Sequence, residues 1–262
     1  MKVELPAHPK RKLGQNFLVD LNVIRKIVAF IDPAPTDVIV EIGAGTGALT
    51  ALVAPRVSRL IAVEFDPDLI PYLACIERVE VVEKDIRKVR IVDLAAGKVR
   101  IIGNLPYYIS TPILTDLITQ RQSISNMILM FQEEVADRIT ALPSTPEYGY
   151  LSVISQYFCR IARGFRITRN CFRPRPEIES RILRFDFHET TRVDEAEFAK
   201  FVSAAFSQRR KKLRNNLARI PGVDPEQIVP ILAELGIAEN TRAEDLSAAQ
   251  FEQLILRFNL KS

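Results

Sequence analysis

The sequence predicts an α/β fold in which helices cover a mostly parallel sheet, followed by a small α-helical domain. Short apolar runs alternate with helix-length segments over the first half of the chain, and this alternation is typical of βαβ units. Two later segments, 160–168 and 181–187, alternate as strands do, so seven strands are expected in one sheet. From about residue 192 the apolar spacing becomes helical. We therefore expect one domain over residues 1–188 and a second over residues 189–262.

The first domain is predicted to begin with a helix over residues 20–31, where apolar side chains recur at helical spacing. Five apolar runs then predict buried strands, at Val38–Ile42, Leu60–Glu64, Val79–Val82, Val99–Gly103 and Asn126–Phe131. Ligands in such folds bind at the carboxyl ends of the strands. Polar residues that directly follow these runs are therefore candidates for one common site.

Composition and charge limit the classes of function. Of the 262 residues 47% are hydrophobic, enough for a folded core, and 36 basic against 32 acidic residues permit a nucleic-acid partner without requiring one. The three cysteines, Cys75, Cys159 and Cys171, form no CxxC pair and are predicted to be core residues. The two histidines, His8 and His188, have no partner cluster. We therefore expect no metal site and no disulfide framework. No apolar run approaches the ~20 residues of a membrane span and the N-terminus lacks signal-peptide character, so a soluble cytoplasmic protein is expected.

A glycine-rich turn follows the first predicted strand. The segment Glu41-Ile42-Gly43-Ala44-Gly45-Thr46-Gly47 has the spacing GxGxG, whereas dinucleotide-binding turns have GxGxxG. Glycine permits a tight turn and lets a ligand approach the backbone closely. Taken alone, the segment is also compatible with a turn that binds nothing.

Two acidic residues favour a ligand at this turn. Glu64 ends the second predicted strand, 21 positions after Gly43, where an acid in a doubly wound sheet accepts the two hydroxyls of a ribose. Asp85 follows the third strand, where a carboxylate can accept from an adenine amine. The alternative is that each acid only caps the next helix. The combined spacing predicts a cofactor with adenine and ribose, S-adenosylmethionine before NAD, because no hydride-acceptor site is evident.

The tetrapeptide Asn104-Leu105-Pro106-Tyr107 follows the fourth predicted strand. The amine of adenine is a poor nucleophile because its lone pair is delocalised into the ring, and a site that accepts both N–H bonds localises that lone pair. Asn104 offers an amide oxygen for one N–H and the Leu105 carbonyl can accept the other, while Pro106 holds Leu105 extended. Tyr107 offers a flat face for an extruded base. The motif predicts methyl transfer to an adenine amine, the alternative being a Pro-Tyr turn at a strand end.

With these motifs the chain resembles, over nearly its whole length, the ribosomal RNA adenine N6,N6-dimethyltransferases, and in particular their bacterial small-subunit branch. Gly14-Gln15-Asn16-Phe17-Leu18 is similar to the family's N-terminal motif, in which the positions of Asn16 and Leu18 contact the cofactor. The family's other cofactor positions are matched by Gly43, Glu64, Asp85 and Asn104. The resemblance implies a Rossmann-like class I methyltransferase fold, S-adenosylmethionine as cofactor, and a monomer.

Residues 172–180 resemble the family's FxPxPxVxS segment, whose Phe stacks on the target adenine opposite the Tyr. The resemblance therefore implies that Phe172 faces Tyr107 across the base. This chain has Glu-Ile-Glu at 177–179 where Lys-Val-Asp is common. That difference changes the local charge and leaves the nearby RNA contacts open.

Residues 205–217 are close to the family's C-terminal pattern and are the most specific sign of the small-subunit branch. Residues 209–219 carry six basic and no acidic side chains, and residues 160–184 add eight arginines against two glutamates. Both stretches are expected to contact phosphates, the alternative being a solvated surface. The predicted RNA-binding residues are Arg209, Arg210, Lys211, Lys212 and Arg214.

The resemblance implies dimethylation of two adjacent adenines in the 3′-terminal hairpin of small-subunit (16S) rRNA within a pre-assembled 30S particle, and a role in small-subunit biogenesis. A second hypothesis is a large-subunit (23S) rRNA adenine dimethyltransferase that confers macrolide resistance, since such enzymes share the glycine turn and an Asn-[Ile/Leu]-Pro-Tyr motif. A third is a non-catalytic RNA- or DNA-binding factor on the same fold. The Ser-Gln-Arg-Arg-Lys stretch favours the first hypothesis, and the intact cofactor positions favour catalysis.

Overall fold

Seven strands form one sheet and two short strands form another in the computed structural model, which describes residues 9–10 and 13–259. In chain order the strands are β1 (Phe17–Leu18), β2 (Val38–Ile42), β3 (Arg59–Glu64), β4 (Val79–Glu83), β5 (Val99–Asn104), β6 (Ile124–Gln132), β7 (Cys159–Ile167), β8 (Phe172–Arg173) and β9 (Ser180–Phe187). The large sheet has the order β4-β3-β2-β5-β6-β9-β7. Strands β2 to β6 are parallel in it and β9 pairs antiparallel with β6, so the predicted mostly parallel sheet is confirmed.

The α-helices of the described residues are α1 (Leu21–Ile31), α2 (Thr50–Val53), α3 (Ile70–Ala74), α4 (Ser110–Thr119), α5 (Glu133–Thr140), α6 (Tyr150–Phe158), α7 (Glu195–Ala205), α8 (Leu213–Leu217), α9 (Pro225–Glu234) and α10 (Ala248–Phe258). The helix predicted over residues 20–31 is confirmed as α1, and the Asp20 carboxylate caps its free N–H groups. The apolar face of α1 is buried in the core, through Ile24, Ile27, Val28 and Ile31. Periodicity therefore identified both the helix and its buried face.

Arg100, buried on β5, fastens the amino ends of the central strands to the end of α1. Its guanidinium donates to the backbone carbonyls of Ile31 and Asp32. It also forms an ion pair with Asp37, which precedes β2, and donates to the Asn126 side chain on β6. A buried charge is tolerated when its donors are paired in this way. These contacts of Arg100 therefore hold the amino ends of the central strands against the end of α1.

The chain folds into two compact units. The first comprises the described residues up to 136 together with 161–187, and the second comprises 137–160 together with the described residues from 188 onward. The chain crosses between the units for the last time between residues 187 and 188. The segment 137–160, expected in the first domain, groups with the second unit instead.

Aromatic packing explains why 137–160 belongs to the second unit. The Tyr157 ring on α6 stacks on the Phe198 ring on α7, with centroids 3.7 Å apart and an interplanar angle of 7°. The Tyr157 hydroxyl donates to Glu252 on α10 at 2.8 Å. These partners lie far along the chain, so the apolar pattern of α6 alone does not predict which unit it joins.

The antiparallel pair of β1 and β8 was not predicted. Leu18 lies opposite Phe172 and Phe17 lies opposite Arg173. Strands of two residues are too short to show a period-2 pattern. The pair joins the N-terminal motif to the segment that precedes β9.

The expectations about the cysteines, a membrane span and a metal site can be compared with the structure. Cys159 and Cys171 are buried, but Cys75 is exposed at the end of α3, so the prediction of three core cysteines is wrong for Cys75. Among the described residues, no helix combines the length and the apolar character needed to cross a membrane. Within the same part of the chain, no three His, Cys, Asp or Glu side chains come together as a metal-binding group.

Candidate active site at the carboxyl ends of the central strands

A cleft opens at the carboxyl ends of β2, β3 and β5, the edge at which the polar residues were predicted to meet. The predicted cofactor and catalytic residues that line it are Asn16, Leu18, Gly43, Gly45, Glu64, Asp85, Asn104, Leu105, Pro106 and Tyr107. All of them belong to the first unit. Motifs that are far apart in the chain therefore converge on one site.

The glycine turn forms the floor of the cleft. Gly43 has a φ of +67° and Gly45 a φ of +60°, in the left-handed region that residues with a side chain rarely adopt. A Cβ at Gly45 would lie 3.2 Å from the Phe17 ring, and one at Gly43 would lie 3.5 Å from the Asn104 carbonyl oxygen. The backbone conformation thus favours glycine at both positions, and the tight contact with the Phe17 ring adds a second reason at Gly45.

Glu64 is held at the end of β3 by backbone amides. Its Oε2 accepts from the Gly45 N–H at 2.8 Å, and its Oε1 accepts from the N–H groups of Phe65 and Asp66 at 2.8 and 2.9 Å. An ionised carboxylate has about four acceptor positions. The amides fix the orientation of Glu64 and leave acceptor capacity toward the cleft, as a ribose-binding role requires.

Asp85 lines the cleft, but its carboxylate already has a partner. The guanidinium of Arg87 lies 2.5 Å from Oδ2, and the Arg87 backbone N–H donates to Oδ1 at 3.0 Å. The Arg87 guanidinium holds the pKa of Asp85 below its usual range, so the carboxyl is an acceptor only. An adenine amine bound here would share Asp85 with Arg87 or displace it.

The N-terminal motif is fastened to the acidic turn after β3. The side-chain amide of Gln15 donates to one oxygen of the buried Asp66 carboxylate at 2.6 Å, and the Lys10 ammonium lies 2.5 Å from the other oxygen. Farther along the motif, the Asn16 side chain donates to the Gly14 carbonyl at 3.0 Å and Leu18 is buried in β1. These contacts hold the motif against the cleft.

Asn104, the last residue of β5, presents an amide oxygen without a partner. Its Nδ2 donates to the backbone carbonyl of Asn16 at 3.0 Å. A carbonyl can only accept, so this contact fixes which end of the amide faces Asn16. The Oδ1 atom is buried and has no hydrogen-bond partner among the described residues. An unpaired buried acceptor costs about 1–3 kcal/mol, so a donor from a bound ligand is its expected partner.

Tyr107 is held in one orientation by Ser180. Its Oη lies 2.7 Å from the Oγ of Ser180, which is buried at the start of β9. Burial raises the pKa of the Tyr107 phenol, which keeps the ring neutral at physiological pH. Ser180 was not predicted as a site residue, although it ends the segment that resembles FxPxPxVxS.

Phe172 does not face Tyr107 across the cleft. Its side chain is 0% exposed, packs in the core and is not among the residues that line the cleft. Its position opposite Leu18 in the β1–β8 pair explains this burial. In this conformation the predicted second stacking face is not available. Tyr108 and Phe65, which are exposed and line the cleft, were missed because nothing in their local sequence distinguishes them.

Glu41 is a buried acid in the wall of the cleft that was not predicted as a site residue. Burial raises the pKa of Glu41 to about 8, although a hydrogen bond from the Thr50 hydroxyl at 2.7 Å acts in the opposite direction. The nearby Glu64 raises the pKa further. Glu41 is therefore mainly protonated at neutral pH. The available signal was an acid inside an otherwise apolar strand.

In the second unit, residues 206–212 form a turn between α7 and α8. Three of the predicted RNA-binding residues are exposed on it and form no ion pair among the described residues: Arg210, Lys211 and Lys212. The other two are engaged, Arg209 with Glu244 at 2.9 Å and Arg214 with Glu239. The free positive charge is thus concentrated on three neighbouring residues.

Asn216, buried on α8, fastens this turn. Its Nδ2 donates to the carbonyls of Ala205 and Gln208, at 2.6 and 3.2 Å. These two contacts hold the start of the turn, directly before the three free cations.

In the other basic stretch, residues 160–184, four of the arginines on its two strands form ion pairs. The ion pairs there join Arg163 and Arg181 to Glu133, Arg166 to Glu179, and Arg184 to Asp186. Exposed arginines without a carboxylate partner among the described residues are found between the strands, at Arg169, Arg173 and Arg175. The predicted basic surface is therefore confined to a shorter segment.

The sheet order, with a glycine turn and polar residues at its carboxyl edge, defines a Rossmann-like class I methyltransferase fold. The structure is similar to the crystal structure of a dimethyladenosine transferase from Plasmodium falciparum, with a TM-score of 0.81 and 24% identity over 93% of this chain and 97% of that one. It is also similar to the 23S rRNA methyltransferase ErmE, with a TM-score of 0.70 and 21% identity over 93% and 100% of the two chains. These two likenesses establish the fold.

The chain belongs to the ribosomal RNA adenine dimethylase family, which it matches over residues 7–260. It is 40% identical to ribosomal RNA small subunit methyltransferase A of Geobacillus kaustophilus, over 94% of this chain and 89% of the relative. It is 42% identical to the protein of the same name from Prosthecochloris aestuarii, over 95% and 93% of the two chains. The predicted family and enzyme class, an rRNA methyltransferase, are confirmed.

Proposed function

We propose that the chain is an S-adenosylmethionine-dependent enzyme that dimethylates the N6 amine of two adjacent adenines in the 3′-terminal hairpin of small-subunit (16S) rRNA. The observation that carries the proposal is the buried, unpaired Oδ1 of Asn104 in the cleft beside Tyr107. The names of relatives at about 40% identity support the small subunit as the substrate.

The cleft fits S-adenosylmethionine. Glu64 would accept from the ribose and Asp85 from the adenine amine, while Asn16 and Leu18 line the same cleft. Gly43 and Gly45 of the glycine turn also line the cleft, and glycine lets a ligand approach the backbone closely. When bound, the cofactor supplies a methyl group on a positively charged sulfur.

The protein's contribution is to activate and place the adenine amine. The Oδ1 of Asn104 accepts one N–H and the Leu105 carbonyl accepts the other, which localises the lone pair on nitrogen. The Tyr107 ring, fixed by Ser180, stacks on the extruded base. Acceptors that are already in place before the reaction need no reorganisation, and this is the source of their effect on rate. No general base is required, because the methylated amine can lose its proton to water.

The second unit is the proposed RNA-contacting domain. The exposed cations Arg210, Lys211 and Lys212 would bind phosphates of the rRNA within a pre-assembled 30S particle, and Arg209 and Arg214 would support that surface. We further propose that the protein acts as a monomer in the cytoplasm and has a role in small-subunit biogenesis.

Methyl transfer to defined RNAs tests the proposal. Labelled S-adenosylmethionine is supplied with undermethylated small subunits, with large-subunit rRNA, or without RNA. We expect label in the small subunits and in neither other reaction. Label in large-subunit rRNA alone would support the macrolide-resistance alternative. Cofactor binding without transfer to any RNA would support a non-catalytic binding factor.

A further inference from the structure

We propose that Arg169, Arg173 and Arg175, on the segment between β7 and β9, form a phosphate-binding site that holds the RNA backbone beside the extruded adenine. The inference rests on the proposed function, because it names a site for the same RNA. It concerns the first unit, which also carries the cleft. These three residues are called the rim arginines below.

The rim arginines differ from the other arginines of residues 160–184 in their partners. Four arginines on β7 and β9 form ion pairs with the three carboxylates of Glu133, Glu179 and Asp186, so most of their charge is compensated within the protein. The rim arginines are exposed and have no carboxylate partner among the described residues. Glu179 forms an ion pair with Arg166. It is one of the acids at which this chain departs from the family pattern. The segment therefore keeps a net positive charge.

The segment meets the cleft residues at two points. In its middle Arg173 lies opposite Phe17 in the β1–β8 pair, and Phe17 lines the cleft. Directly opposed Cα atoms in an antiparallel pair are about 4.5–5.5 Å apart. At its end the Ser180 hydroxyl lies 2.7 Å from that of Tyr107. Arg175 lies between these two anchors, and Arg169 donates to the backbone carbonyl of Glu177 in the same stretch. From these contacts we place the three arginines at the rim of the site that receives the base.

The guanidinium groups retain donors for a ligand. Arg169 donates to the Glu177 carbonyl at 3.4 Å, and Arg173 donates to the Phe172 carbonyl at 2.9 Å. Each guanidinium carries five N–H donors, so most of them remain available, and the planar group matches a phosphate bidentately. The backbone contacts orient the side chains without neutralising them.

The chemistry of base extrusion places a phosphate at this position. A base that enters an enzyme pocket rotates about its backbone, so its own phosphates stay at the mouth of the pocket. Phosphate contacts fix register without reading sequence. The rim arginines would therefore align the target adenosine with Asn104, independently of the cations on the second unit.

The test removes the three charges together. The variant is Arg169→Gln/Arg173→Gln/Arg175→Gln, and the probe is undermethylated small subunits, with binding measured in the absence of turnover and KM and kcat measured during methyl transfer. Each phosphate contact to a single strand contributes a slope of about −0.7 to log K against log salt, or about fivefold in affinity at 0.1 M salt. We expect affinity to fall by up to about 100-fold, the salt slope to weaken by about 2, and the loss to lie mainly in KM.

Two matched variants separate charge from folding and from general electrostatics. Arg56 is exposed and has no ion pair among the described residues. It precedes β3, at the amino ends of the strands, whereas the cleft lies at their carboxyl ends. Arg56→Gln should therefore bind like the wild type. Arg169→Lys/Arg173→Lys/Arg175→Lys keeps the charge and should recover most of the affinity.

The inference is overturned if the glutamine variant binds with the affinity and salt slope of Arg56→Gln, or if the lysine variant is as impaired as the glutamine variant. A wild-type protein that binds the subunits but transfers no methyl group would overturn the proposed function instead. Because binding is measured without turnover, the two failures are distinguishable.

Discussion

Asn104 and Tyr107 owe their orientation to residues outside their own motif. The backbone carbonyl of Asn16 sets the direction of the Asn104 amide, and the hydroxyl of Ser180 sets the Tyr107 ring. The local sequence predicts which groups carry the chemistry, because their types and their position after a strand are specific. It does not predict the contacts that orient them, because those partners lie in other segments of the chain.

Replacing Asn104 tests the unpaired oxygen directly. Asn104→Ala should lower turnover by at least ~100-fold, the scale expected for the loss of one preorganised polar group, while RNA binding changes little. Turnover and RNA affinity are measured in parallel, with the exposed Asn22→Ala as control. Near-normal turnover of Asn104→Ala would rule out the proposed activation of the amine.

Glu41 predicts a pH-dependent stability. Because burial raises its pKa from 4.5 to about 8, the folded state favours the protonated acid. The stability that this contributes is fully present below about pH 4.5 and is lost as the pH rises through about 8. Glu41→Gln removes the ionising group, so its unfolding free energy relative to wild type should rise by up to about 1.4 kcal/mol per pH unit over that interval.

Thermal unfolding between about pH 4.5 and 8 measures this effect. The exposed Glu83 serves as control, and Glu83→Gln should follow the wild-type curve. A Glu41→Gln curve that also runs parallel to wild type would show that Glu41 ionises as freely in the folded state as in the unfolded one.

At the scale of elements, the long strands and α1 could be predicted because their apolar patterns are continuous. The pairing of β1 with β8 could not, since each has two residues. Phe172 shows the consequence: its motif predicts a stacking face, whereas its pairing with Leu18 buries the side chain. Whether such a side chain is buried or faces the cleft depends on how distant short segments pair, and the local sequence pattern does not indicate that pairing.

The contact between β2 and β5 gives the element-scale prediction. A Cβ at Gly103 would lie 2.6 Å from the Ile42 carbonyl oxygen, so Gly103→Ala must move one strand away from the other. We expect a loss of about 1–3 kcal/mol in unfolding free energy and lower turnover, because Asn104 is the next residue. Denaturant unfolding and methyl transfer measure the two effects.

Gly149 offers a matched control for this change. A Cβ there meets nothing within 4 Å and its backbone is extended, so Gly149→Ala should lose only the difference between glycine and alanine as the N-cap of α6, about 1 kcal/mol or less. Equal unfolding midpoints for Gly103→Ala and Gly149→Ala would mean that the close approach of β2 and β5 is not a constraint.

At the scale of the whole molecule, charge is more concentrated than the composition indicates. Ion pairs engage Arg163, Arg166, Arg181 and Arg184 within residues 160–184, and free cations remain on the rim segment and on the turn at 206–212. Charge clustering along the chain predicted that RNA would be bound. Which cations remain free depends on acids brought near by folding, and the sequence does not show these.

The nucleosides formed in undermethylated small subunits test the central claim most directly. Small subunits are incubated with S-adenosylmethionine and either the wild-type protein or Asn104→Ala, and the modified nucleosides are then identified and mapped. We predict N6,N6-dimethyladenosine at the two adjacent adenines of the 3′-terminal hairpin with the wild type, and at least ~100-fold less with the variant. Methylation at another base or another atom, or dimethyladenosine only in large-subunit rRNA, would contradict it.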